Sequence, residues 1–68
     1  MSLVRQFGLN VRRARLAKGL SQDALAELAN MRRSYLSDVE RGTRNPSVQA
    51  LGRIAEALEV LPGDLLSD

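Results

Sequence analysis

Apolar residues recur every three to four positions from Leu3 to Leu58, and the breaks between groups fall on glycine, asparagine and proline. Leu3, Val4, Phe7, Val11 and Ala14 share one helical stripe, and Gly19, just after Lys18, is placed to stop that helix. Ser21 suits the cap of a second helix, with Asp23 in a first turn where the positive dipole end favours an acid. That helix directs Leu25, Leu28 and Ala29 inward and ends near Asn30, a residue that tolerates left-handed backbone. A third helix is predicted over residues 32–41, with Leu36 and Val39 inward and Gly42 as its stop. "TRNP" reads as a loop, and Ser47 as the cap of a fourth helix with the stripe Val48, Leu51, Ile54, Ala55 and Leu58. A last short turn or helix begins at "LPGDLL", where Pro62 suits a first helical position. No alternating run of β-branched or aromatic residues suggests a strand. The expectation is an all-α chain of five short helices forming one domain over 1–68.

Composition changes this picture in two ways. A domain of about 60 residues buries only about 60% of its unfolded surface, so a 68-residue chain needs a further staple. The sequence has no cysteine and no histidine, which removes disulfides, thiolate metal sites and the commonest metal ligand and general base. A partner subunit is the remaining staple. The same absences, with no glycine-rich phosphate loop and no convincing carboxylate pair, argue against an enzyme and imply no metal or cofactor.

Charge adds direction. Residues 1–46 hold nine arginines and lysines against four acids, a net of +5, whereas residues 47–68 hold one against four, a net of −3. One surface suits a polyanion and another suits something else. No apolar run approaches the roughly 18 residues of a membrane span. The N-terminus lacks the features of a signal peptide. A soluble cytoplasmic chain with no membrane partner is expected.

The segment "GLSQDALAELANMRRSYLSDVERGTRNPS" resembles the helix-turn-helix of the Cro/phage-repressor superfamily, the XRE family. The likeness continues through "FGLNVRRARLAKG" and "VQALGRIAEALEV", covering nearly the whole chain. It rests on an ordered set: Ser21-Gln22, Leu25-Ala26, a turn residue at Asn30, apolar 36 and 39, Glu40-Arg41-Gly42, Asn45-Pro46 and Ala55. Within the superfamily, "RRSYLSDVERGTRNPS" is most similar to controller proteins of restriction–modification systems. The resemblance implies a compact five-helix lambda-repressor-like DNA-binding domain, its helix-turn-helix spanning about 21–41. It also implies a transcriptional regulator of double-stranded DNA that dimerises through its last helices, here 58–68. Two-fold pairing of recognition helices would select a palindromic operator. An antitoxin-type interaction module with secondary DNA binding is the rival reading, although that class normally carries extra sequence to bind a toxin. No effector domain is visible, so no small-molecule ligand is implied.

Site residues follow from a helical wheel of residues 33–41 at about 100° per residue. Arg33, Ser34, Ser37, Asp38 and Arg41 lie opposite Leu36 and Val39, whereas Glu40 flanks the apolar stripe. A partly buried Glu40 needs a cation. Arg15 flanks the first helix's stripe and is the candidate, the alternative being two unrelated solvated charges. The resemblance favours the pair.

Arg32, Arg33, Ser34, Tyr35 and Ser37 stand where the early turns of a recognition helix face base edges. Arginine matches guanine O6 and N7. Tyr35 reads equally as an edge-of-core residue, and Arg32 replaces the expected polar cap, so it suits phosphate as well as base. Ser21, Gln22, Arg44 and Asn45 are candidate backbone contacts, whereas Arg12 and Arg13 read as a solvated face. Leu61, Leu65 and Leu66 offer a dimer surface, or else cap the monomer core. Gly52 costs helix stability and could allow a close helix contact. Leu9 and Leu16 read as outward-facing, and Asp38 has two open readings: a cytosine contact, or repulsion of wrong placements.

Overall fold

A computed structural model describes residues 2–67, all helical or loop, with no strand among them. The elements are α1 (Leu3–Ala17), α2 (Gln22–Leu28), α3 (Arg33–Arg41), α4 (Val48–Leu58) and a single 3-10 turn (Pro62–Leu65). The expected fifth helix is thus one 3-10 turn, opened by Pro62 and closed by four residues. Asp64 holds its start by accepting the Leu61 N–H at 3.2 Å.

Serines begin three of the helices. Ser2, Ser21 and Ser47 each accept a backbone N–H from three residues on (Arg5, Ala24 and Ala50), satisfying one otherwise unpaired donor per helix. α3 starts at Arg32 with no side-chain cap.

All four α-helices end alike. The N–H just after the left-handed residue reaches back five residues, in Leu20→Arg15, Met31→Ala26, Thr43→Asp38 and Val60→Ala55, all within 2.9–3.1 Å. This closure needs a left-handed residue, supplied by Gly19, Asn30, Gly42 and Glu59. Asn30, at φ 55°, therefore is the turn residue of the helix-turn-helix.

The core gathers Phe7 and Val11 from α1, Leu25, Ala26 and Ala29 around α2, and Leu36 and Val39 from α3. Ile54, Ala55, Leu58 and Leu65 close it from the C-terminal side. α1 packs most extensively on α3. Gly8 makes that possible: a Cβ there would stand 2.3 Å from the Val39 carbonyl oxygen and 2.9 Å from that of Glu40.

Several apolar positions depart from the expected stripes. Leu28 is 61% exposed, because Leu25, Ala26 and Ala29 turn inward and leave Leu28 about 100° to one side. Val48 is 87% exposed in the first turn of α4, off the buried line of Ala50, Ile54, Ala55 and Leu58. Leu3 is also exposed at the start of α1, and Leu9 is half-buried while Leu16 faces out. Gly52 allows no close contact among the described residues, since none lies within 4 Å of a Cβ built there.

Asn10 fastens the C-terminal turn to α1. Its amide donates to the Leu65 carbonyl at 2.9 Å and the Ser67 carbonyl at 2.6 Å, and its oxygen accepts from Gln6 at 3.1 Å. Polar residues on a helix surface are ordinary, so nothing in the pattern singled Asn10 out.

Candidate nucleic-acid interface

α3 is held at its back and carries its chemistry at its front. At the back, Glu40 and Arg15 are each 7% exposed. Arg15 Nε donates to Glu40 Oε2 at 2.7 Å and Nη2 to Oε1 at 3.0 Å, a two-pronged pair. Arg15 Nη1 donates to the Leu20 carbonyl at 2.8 Å, and Gln22 donates to Glu40 Oε1 at 3.1 Å. Two charges are thereby buried with all three guanidinium nitrogens and both carboxylate oxygens hydrogen-bonded, the condition under which such a pair is tolerated. Glu40 faces away from the solvent front of α3.

On the front, Arg32, Arg33 and Ser34 are exposed and Ser37 is half-buried. Arg33 does not hang free: Nη1 approaches Gln22 Oε1 at 3.4 Å and Nε lies 3.3 Å from Asp23 Oδ1. Gln22 thus bridges the buried pair and the leading arginine. One amide N–H is engaged within the protein, a link the spacing of residues alone did not reveal. Ser21 likewise spends its hydroxyl on capping α2.

The flank toward α4 is a second cluster. Tyr35 is half-buried, and its hydroxyl accepts the Ser47 N–H at 3.2 Å. The Arg44 guanidinium lies over the Tyr35 ring, 4.9 Å from its centroid. Asp38 pairs with Arg41 one turn on and lies 3.7 Å from Arg44. Asn45 is exposed in the same loop. The structure thus brings together Arg32, Arg33, Ser34, Tyr35, Ser37, Arg44 and Asn45 around one helix. The start of α2 stands on one side of it and the start of α4 on the other.

The hydrophobic trio at the C-terminus divides. Leu65 is 2% exposed and belongs to the monomer core, so its place in a dimer surface is corrected. Burial against α4 and α1 consumes it. Leu61 and Leu66 remain exposed.

No described helix is long and apolar enough to cross a membrane, and no metal-holding group of acidic side chains occurs among the described residues.

A family model described as helix-turn-helix matches residues 11–65. The chain belongs to the XRE family of helix-turn-helix proteins. The control protein C.BamHI of Bacillus amyloliquefaciens is 49% identical over 61 residues, covering 88% of this chain and 75% of that protein. The crystal structure of the restriction–modification controller protein C.AhdI from Aeromonas hydrophila superposes with a TM-score of 0.87 at 48% identity, covering 93% and 94% of the two chains. SinR, a regulator of biofilm formation solved in complex with DNA, superposes with a TM-score of 0.85 at 39% identity over 90% of this chain and 98% of that one. An all-helical fold matching the controller proteins is therefore the architecture of this family member.

Proposed function

We propose that this XRE-family regulator binds double-stranded DNA as a homodimer, inserting α3 of each subunit into the major groove of a palindromic operator. The observation that carries the reading is the division of α3. A buried Arg15–Glu40 pair fixes its back, while Arg33, Ser34 and Ser37 occupy its accessible front. A reading element held rigidly at its base loses little entropy on docking. Similarity to SinR, solved with DNA, and to two controller proteins supports it.

In this reading Arg33 takes guanine, Ser34 and Ser37 allow close approach, and Tyr35 and Arg32 line the entrance. Arg44, Asn45 and the start of α2 at Ser21 and Gln22 meet the backbone. Leu61 and Leu66 supply the apolar part of the subunit contact, placing two α3 helices about one turn of DNA, ~34 Å, apart.

Selection of bound sequences from a random duplex pool tests the proposal. Two inverted half-sites spaced by about one helical turn are expected; a single asymmetric site would remove the symmetric dimer. A binding constant indifferent to salt would remove the DNA contact itself.

A further inference from the structure

A cleft on the α4 side of the reading helix has no assigned role. Its volume is about 210 Å³, and it runs from the turn at Asn30 past Arg32 and Tyr35 to Ser47, Ala50 and Arg53 of α4. Two arginines line it and, among the described residues, no carboxylate does.

Arg53 is the unusual member. It is the one basic residue of the acidic C-terminal third. Like Arg32 in the same cleft, it has no ion pair among the described residues. Its Nε is buried and has no acceptor among the described residues. A buried N–H without an acceptor is unfavourable, so such a group calls for an explanation. An acceptor arriving from outside supplies one. Ala50, three residues earlier on the same face, also lines the cleft.

We infer that this cleft seats a phosphodiester group of the DNA backbone, with Arg53 as its principal donor and Arg32 as the second. The inference rests on the DNA-binding reading above and extends it to a residue that neither the helix-turn-helix segment nor its loop contains. The placement agrees with duplex geometry. The major groove is about 12 Å wide, and a helix lying in it has a phosphate strand on each flank. The start of α2 faces one strand; Ser47 and the cleft flank the other side of α3. A guanidinium suits phosphate because its parallel N–H groups match two oxygens.

The test compares wild type with Arg53→Gln and Arg53→Lys on the selected operator and on random duplex, at several salt concentrations. Each phosphate contact contributes about 0.9 to the slope of log K against log salt. Arg53→Gln is expected to lower the slope by about that amount on both duplexes, with base preference unchanged and no loss of thermal stability. Arg53→Lys keeps the charge and is expected to keep the slope while weakening affinity. Arg12→Gln, on the exposed face of α1, is the control and leaves the slope unchanged.

A steep wild-type slope that Arg53→Gln leaves intact overturns the assignment of Arg53 alone. A flat wild-type slope overturns DNA binding and the inference together. If Arg53→Gln fails to fold, Arg53→Lys decides: a lowered slope despite the retained charge overturns the inference. Stabilisation of wild type by inorganic phosphate, lost in Arg53→Gln without any change of slope, would make the cleft a free-anion site and overturn it as well.

Discussion

Asp38 and Arg44 lie 3.7 Å apart on the flank of α3, with Arg41 paired to the same carboxylate and the Tyr35 ring beneath the Arg44 guanidinium. The acid on the reading helix thus has partners within the protein: it holds two arginines that would otherwise repel each other. Neutralising it with Asp38→Asn removes a negative charge from the side of α3 proposed to face DNA. We expect tighter binding to random duplex and a smaller ratio of specific to non-specific affinity. Arg44→Ala is expected to weaken all sequences by a similar factor. Titrations on operator and random duplex read both; a changed base preference in Arg44→Ala would move that residue from backbone contact to base contact.

The buried pair behind α3 makes a different prediction. Arg15→Met or Glu40→Met alone strands a charge that is almost wholly buried, at a cost of about 3–5 kcal/mol. The double variant strands none. Its loss of stability by urea unfolding is expected to be no greater than that of either single variant. Additive losses would mean that Arg15 and Glu40 do not act as a unit.

Two glycines are expected to respond in opposite directions. Gly52 is in the interior of α4 with open space around its Cα, so Gly52→Ala should stabilise by up to about 1 kcal/mol. Gly8 is in the interior of α1 with the α3 backbone against it, so Gly8→Ala must push the two helices apart. A loss of at least 1–3 kcal/mol, roughly the cost of overpacking, is expected. Thermal melting of the two variants side by side checks the pair. Helix propensity alone would raise both.

What the sequence disclosed, and what it hid, follows from the range of each interaction. Caps at Ser21 and Ser47 and stops at Gly19, Asn30 and Gly42 are local, and they were legible from single residues. Glu40 was separable from Asp38 because a helical period places them on different faces. The positions of Leu28, Val48 and Leu65 depended on which neighbour covers each face, and periodicity does not state that. The role of Gly8 exists only once α3 is pressed against α1. Gln22 and Arg33, eleven residues apart, meet only because the α2–α3 turn folds α3 back beside the start of α2. Arg53 drew attention only as a charge, since its unpaired nitrogen exists only in the folded chain.

Glu59 carries a pH prediction. It holds a left-handed conformation at φ 59° and pairs with Lys18, whose hydrogen bond and charge lower its pKa below the ordinary carboxylate range. A carboxyl whose folded pKa is lowered contributes stability above its unfolded pKa and loses it as pH falls through the folded value. Wild type is therefore expected to melt above Glu59→Gln at neutral pH. The difference should close as pH falls below about 4. High salt at neutral pH should shrink it too, because the pair is exposed. A difference that persists in acid would assign the effect to backbone strain at position 59 instead.

The last prediction concerns how Arg33 is aimed. Gln22 donates to Glu40 and accepts from Arg33, so the buried pair, the amide and the leading arginine form one chain of contacts. Asp23 adds a competing carboxylate 3.3 Å from Arg33. Arg33→Ala removes the guanidinium and is expected to relax preference at one base per half-site, by about 1–3 kcal/mol of discrimination. Gln22→Ala leaves the guanidinium in place but frees it to settle on Asp23. A partial loss of discrimination at that same base is therefore expected, with selectivity at the other positions retained. Sequence selection with both variants measures this directly. If Gln22→Ala lowers affinity equally for every sequence, Gln22 serves the backbone contact and does not steer Arg33.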